Sequence, residues 1–160
     1  MTTNNRPAHP VRQASISKGR TPVQRASLVV GATFLIVGAG GFIPGLTTHY
    51  DQLSWAGHHS QALLLGLFNV SILHNLVHLA FGVAGIALAR TIEGAQWFLI
   101  AGGVIYVLLW IYGMAMGDHH SAANFIPVNT ADNLLHLGLG IGMLGLGLWL
   151  GARRRDLYSM

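Results

Sequence analysis

The chain has 160 residues, of which 52% are hydrophobic and only 9% are charged, and its formal net charge is +4. Soluble domains carry roughly 25% charged residues, so this composition excludes an ordinary soluble domain and indicates an integral membrane protein. The absence of cysteine excludes disulfides, thiolate metal sites and cysteine nucleophiles. Every Lys and Arg lies in one of three short segments, so we expect the lipid bilayer as the partner and no nucleic acid.

Residues 1–26 are polar and basic and include three prolines, which predicts a disordered basic tail. Long apolar stretches then predict one transmembrane domain over residues 27–152. Its four helical spans are expected at about residues 27–46, 72–89, 96–116 and 133–152. A short basic end, residues 153–160, completes the chain.

The positions of Lys and Arg predict the orientation in the membrane. In a four-span protein the basic tail, Arg90 and the basic run at 153–155 all fall on one side, and the other side has no Lys or Arg. Cytoplasmic segments carry the excess of Lys and Arg, so both termini are expected in the cytoplasm. The outer loops then carry several histidines. Their role stays open between tolerated neutral side chains and metal capture or pH sensing.

The second and fourth spans open with similar polar segments. The residue pairs that match 58 positions apart include Asn75/Asn133, His78/His136 and Gly82/Gly140. No comparable match links the first and third spans. This pattern predicts two helical hairpins related by an approximate twofold axis along the membrane normal. The expected fold class is therefore all-α, an integral membrane four-helix bundle built from two hairpin repeats.

Four ionisable side chains in or directly before the second and fourth spans form the candidate site. They are His74, His78, Asp132 and His136. At about 100° per residue, His74 and His78 share one helix face, and Asp132 lies one turn before His136. Ionisable residues inside spans usually face the bundle interior and have a partner or a function. We therefore expect a polar cluster inside the bundle near the outer surface.

Three interpretations of this cluster stay open. In the first, its side chains and the amides of Asn75 and Asn133 form a polar clasp that hydrogen-bonds neighbouring helices. In the second, the four ionisable residues bind a divalent metal (Zn, Cu or Fe), or His78 and His136 bind a b-type haem. No Lys or Arg is expected near the haem propionates, which weakens the haem alternative. In the third, the cluster relays protons or ions, which requires an oligomer.

Motifs of the common enzyme classes are absent. The sequence has no H-E-x-x-H, G-x-S-x-G or G-x-x-x-x-G-K-[ST] pattern. We therefore expect a non-enzymatic protein, a structural or accessory membrane component that acts as a homo-oligomer or within a larger membrane complex. The alternatives are a metal- or haem-binding redox or sensor protein and a small ion or proton transporter that acts as an oligomer.

Four short segments carry a family resemblance. They are residues 50–53, 66–68, 73–79 (Leu-His-Asn-Leu-Val-His-Leu) and 132–136. With these segments the chain resembles the bacterial domain of unknown function 4383 family, over about residues 26–152. The resemblance implies a small four-span protein of the bacterial plasma membrane. It implies no activity.

Overall fold

The computed structural model describes residues 19–57, 59–116, 126 and 128–158, with side chains of the last helix described as far as residue 152. Most of the predicted tail lies outside the described residues. Four helices dominate the chain: α1 (Pro22–Gly40), α2 (Ile72–Leu88), α3 (Ile92–Met116) and α4 (Thr130–Tyr158). A single 3₁₀ turn (Tyr50–Gln52) and three two-residue strands lie between α1 and α2. The predicted all-α class is confirmed in its main elements, and the small sheet is an addition to it.

Helix α1 begins and ends earlier than the first predicted span. Pro22 occupies the first helical turn, where its missing N–H costs nothing, and the Thr21 N–H donates to Gln24 Oε1 at 3.0 Å. This capping extends the helix into residues that we expected to belong to the tail. The helix ends at Gly40 because the chain then turns through Pro44 and Gly45, which has a φ of +95°.

The described residues contain three helices of membrane-spanning length, whereas four were expected. They are α1, α3 and the Thr130–Ala152 part of α4, and they indicate a membrane protein. Helix α2 is apolar but has 17 residues, so it rises about 25 Å, whereas a hydrocarbon core is about 30 Å thick. Helix α4 continues to Tyr158, so the predicted basic end extends this helix.

Close glycine contacts join the helices into two antiparallel pairs, α1 with α2 and α3 with α4. A Cβ atom on Gly31 would lie 3.0 Å from the Gly82 carbonyl oxygen, and one on Gly103 would lie 2.9 Å from the Gly140 carbonyl oxygen. Small residues let backbones approach closely in lipid, where packing drives helix association. These glycines therefore set the spacing within each pair.

The two pairs meet in an aromatic and aliphatic core. The rings of Phe34 on α1 and Tyr106 on α3 stack with centroids 5.4 Å apart. Phe98, Leu99 and Met143 are buried beside them. The outward faces carry exposed large apolar side chains on all four helices, which suits a lipid surround and not water.

A three-stranded antiparallel sheet covers one end of the α1–α2 pair. Its strands are β1 (Thr47–Thr48), β2 (Leu63–Leu64) and β3 (Phe68–Asn69), in the order β1-β2-β3. The turn from β2 to β3 passes through Leu65 and Gly66, both at positive φ. Ala62, Leu64 and Val70 form a small second core beneath the sheet. We call this end of the molecule the sheet end.

Candidate functional site

A cavity of about 130 Å³ lies at the sheet end, between α2 and α4 and beside α3. Its polar lining consists of Ser71, three histidines and a tyrosine, and its apolar lining consists of four aliphatic side chains. These residues are Ser71, His74, His78, His136, Tyr106, Leu73, Val77, Leu109 and Ile126. We call it the histidine cavity. It unites three of the four ionisable residues that the sequence singles out.

The start of α2 positions the first two histidines. Ser71 caps the helix, since its Oγ accepts a hydrogen bond from the His74 N–H at 3.2 Å. His78 then lies one turn further, with its Nδ1 3.0 Å from the His74 carbonyl oxygen. Because a carbonyl only accepts, Nδ1 donates, and Nε2 of a neutral His78 ring is left as a hydrogen-bond acceptor. The two imidazole rings stack at 4.5 Å with an angle of 8° between their planes.

Helix α4 contributes His136 from the opposite wall. Its side chain is 3% exposed, and its ring lies 5.4 Å from the ring of Tyr106. In the part of the chain that the structure describes, His136 Nδ1 has no hydrogen-bond partner. A buried polar atom without a partner costs about 1–3 kcal/mol. The cavity is therefore a place where a further polar group would be stabilised.

Asp132, the fourth predicted member, makes backbone hydrogen bonds and does not line the cavity. It is 2% exposed, and its Oδ2 accepts from the Asn129 N–H at 2.9 Å and from the Asn69 N–H at 3.0 Å. The Asp132 N–H in turn donates to Asn129 Oδ1 at 3.0 Å. This reciprocal pair is a capping box at the start of α4. The bond to Asn69 also ties α4 to strand β3.

Asn75 lies against Gly41, directly after α1, and Asn133 lies against Gly113 of α3. A Cβ atom on either glycine would overlap the side-chain amide, so only glycine leaves room for it at these positions. Asn75 Nδ2 and Asn133 Oδ1 have no conventional hydrogen-bond partner among the described residues.

The metal and haem alternatives find limited support in this arrangement. No group of three or more His, Cys, Asp or Glu side chains in the described ranges is placed to hold a metal ion. The parallel rings of His74 and His78 direct their in-plane nitrogen lone pairs side by side, and a metal needs them to converge. A haem between His78 and His136 requires more space than the roughly 130 Å³ of this cavity, because pockets for drug-sized ligands measure roughly 300 Å³ or more. Both alternatives stay predictions.

Tyr106 lines the histidine cavity and contacts His136, but in the sequence it is one aromatic residue among several in an apolar span. Because no comparable match links the first and third spans, the sequence offers no signal that would single it out.

Of the loop histidines, His49 and His59 are exposed at the sheet end, whereas His58, His119 and His120 lie outside the described residues.

Comparison with protein families decides the relationship of this chain. The model of the family described as Domain of unknown function (DUF4383) matches residues 24–149. The chain belongs to this family. The match confirms the resemblance found in the sequence. It includes α2, α3, most of α1 and α4, and every described lining residue of the histidine cavity of this DUF4383 protein. No curated protein and no solved structure matches it.

Proposed function

We propose that this DUF4383 protein is a non-enzymatic, four-span accessory protein of the bacterial plasma membrane. The observation that carries the four-span topology is the apolar outer face of α2. Val83 on this helix is 61% exposed, as much as side chains on the three longer helices. Helix α2 also packs along α1 through glycines. A helix of about 25 Å crosses the membrane where the bilayer thins locally around it, at a modest cost in free energy.

Both termini are proposed to lie in the cytoplasm. Arg20 and Arg25 at the start of α1, Arg90 between α2 and α3, and the basic run at 153–155 belong to one end of the four helices. The described part of the sheet end contains no Lys or Arg. The positive-inside rule then places the sheet end and the histidine cavity on the outer side.

The bundle is proposed to be two copies of one hairpin. Three pairs of equivalent contacts support this. They are Gly31–Gly82 with Gly103–Gly140, Gly41–Asn75 with Gly113–Asn133, and Phe34–His78 with Tyr106–His136, both of the last at 5.4 Å. Equivalent residues are 58 positions apart in α2 and α4 but 72 apart in α1 and α3. The first hairpin therefore has 14 more residues in its connection, where the sheet lies.

The polar cluster is proposed to clasp the outer ends of the two hairpins. Asp132 supports this role because it bonds the α4 start and strand β3 at once. The Asn129 amide adds a second link, donating from Nδ2 to the Leu67 carbonyl oxygen at 2.8 Å. Below the cavity, the rings of Phe34, Phe81 and Tyr106 pack against one another. This apolar layer favours the accessory role over an ion or proton path through a single copy.

The topology can be tested by cysteine labelling, because the chain has no native cysteine. Leu65→Cys and Glu93→Cys each place a single thiol at an exposed position. Leu65 precedes α2 and Glu93 follows it, so the two thiols lie beyond opposite ends of this helix. In intact cells a membrane-impermeant maleimide is expected to label the first and to reach the second only after permeabilisation. Labelling of both from one side would contradict four spans. Labelling of Glu93→Cys alone would reverse the orientation.

The accessory role can be tested on purified protein by metal analysis and visible absorption, beside His78→Ala and His136→Ala variants. We expect a colourless, metal-free protein, even after metal is supplied, and variants that differ from it in thermal stability. Stoichiometric metal or a Soret band that both variants lose would replace the clasp by a cofactor site.

A further inference from the structure

The lining of the histidine cavity restricts the charge of what it can bind. No Asp, Glu, Lys or Arg is among its described lining residues. Among these residues a cation meets no carboxylate and an anion meets no Lys or Arg, and an unpaired charge beside them is costly. The cavity therefore suits an uncharged occupant.

The size and walls of the cavity restrict the shape of the occupant. Leu73, Val77, Leu109 and Ile126 supply an apolar wall. The volume of about 130 Å³ is close to that of an engineered protein cavity of about 150 Å³ that binds benzene. One six-membered ring therefore fits. Val77 lines the cavity and is 46% exposed, so the cavity reaches the outer face of α2, where the ring can enter.

The polar wall requires a hydrogen-bonding group on that ring. His136 Nδ1 is buried without a partner in the described residues, and His78 presents Nε2 as an acceptor. A hydroxyl group both donates and accepts, so it satisfies either tautomer of His136. A molecule with an apolar ring and a hydroxyl also concentrates at the membrane interface, the depth proposed for this end of the bundle.

From these observations we infer that the histidine cavity binds a small uncharged phenol-like ligand, with its ring against the aliphatic wall and its hydroxyl at the histidines. This inference goes beyond the accessory role and depends on the cavity alone. It survives if the topology experiment fails, because the cavity's lining does not depend on which side of the membrane it faces.

The test uses ¹⁹F NMR of 4-fluorophenol added to the full chain in nanodiscs, with empty nanodiscs of the same lipid as the reference. We expect a saturable one-to-one signal, and binding of fluorobenzene about tenfold weaker or more, because it leaves the histidines without a partner. Signals that match those of empty nanodiscs would overturn the inference. Equal binding of fluorobenzene would overturn the role of the hydroxyl.

Two tryptophan substitutions on one helix provide a matched pair of variants. Val77→Trp fills the cavity and is expected to abolish saturable binding, whereas Val83→Trp lies on the outer face of α2 and is expected to leave it unchanged. His136→Phe keeps a ring but removes the two nitrogens of this residue and leaves only the His78 acceptor, so it is expected to reduce the preference for the phenol. Unchanged binding in Val77→Trp, or an unchanged preference in His136→Phe, would contradict the assignment.

Discussion

Replacement of Asp132 by Ala tests the clasp at its most connected side chain. The substitution removes the two hydrogen bonds that Oδ2 accepts, from Asn129 at the start of α4 and from Asn69 in strand β3. It also leaves both N–H groups without these partners. The effect should therefore extend from the helix start to the sheet.

The magnitude follows from these two bonds. Loss of a helix cap costs about 0.5–2 kcal/mol, and the second bond, across 63 positions of the chain, adds about 1 kcal/mol. Both donors are only partly buried, so water regains some of this energy. We expect Asp132→Ala to lower the free energy of unfolding by about 2 kcal/mol. Asp132→Asn keeps an acceptor oxygen and is expected to lose about half as much.

The measurement is unfolding in mixed detergent, followed by tryptophan fluorescence. Asp51→Ala is the matched control, because Asp51 is exposed at the same end of the molecule. We expect its effect to stay within about 0.5 kcal/mol of the unchanged protein. If Asp132→Ala behaved like this control, or if Asp132→Asn were as damaging as Asp132→Ala, the clasp would be refuted.

Further predictions use the same unfolding measurement. Gly140→Ala would bring a methyl to 2.7 Å from a Val side chain of α3 and is expected to cost about 1–3 kcal/mol, whereas Gly142→Ala meets nothing within 4 Å and should be neutral or stabilising. Equal effects of the two would contradict the glycine packing. Gly113→Ala drives a methyl into the Asn133 amide, so it should destabilise at least as much as Gly140→Ala. Ser27→Ala removes a buried 2.8 Å bond to a carbonyl of α2 and should cost about 0.6 kcal/mol, and a stabilised variant would refute that contribution.

Several properties of this protein are determined by the sequence itself. The low charge and the long apolar stretches identify a membrane protein, and local caps such as Ser71 place the start of α2 at the expected residue, Ile72. Helix periodicity puts His74 and His78 on one face, and both line the cavity. These properties depend on composition or on residues within a turn or two of one another. They can therefore be predicted from a single sequence.

Other properties are decided only by the tertiary structure. The second partner of Asp132 is Asn69, 63 positions away, so no local pattern could assign its carboxyl to strand β3. Two-residue strands are too short to produce an alternating pattern in the sequence. The proposed equivalence of α1 and α3 needs an offset of 72, so a comparison at an offset of 58 does not find it. Tyr106 meets His136 only because α3 and α4 pack in one register. That register is set by glycine contacts between helices, and sequence periodicity does not specify which faces of two helices meet.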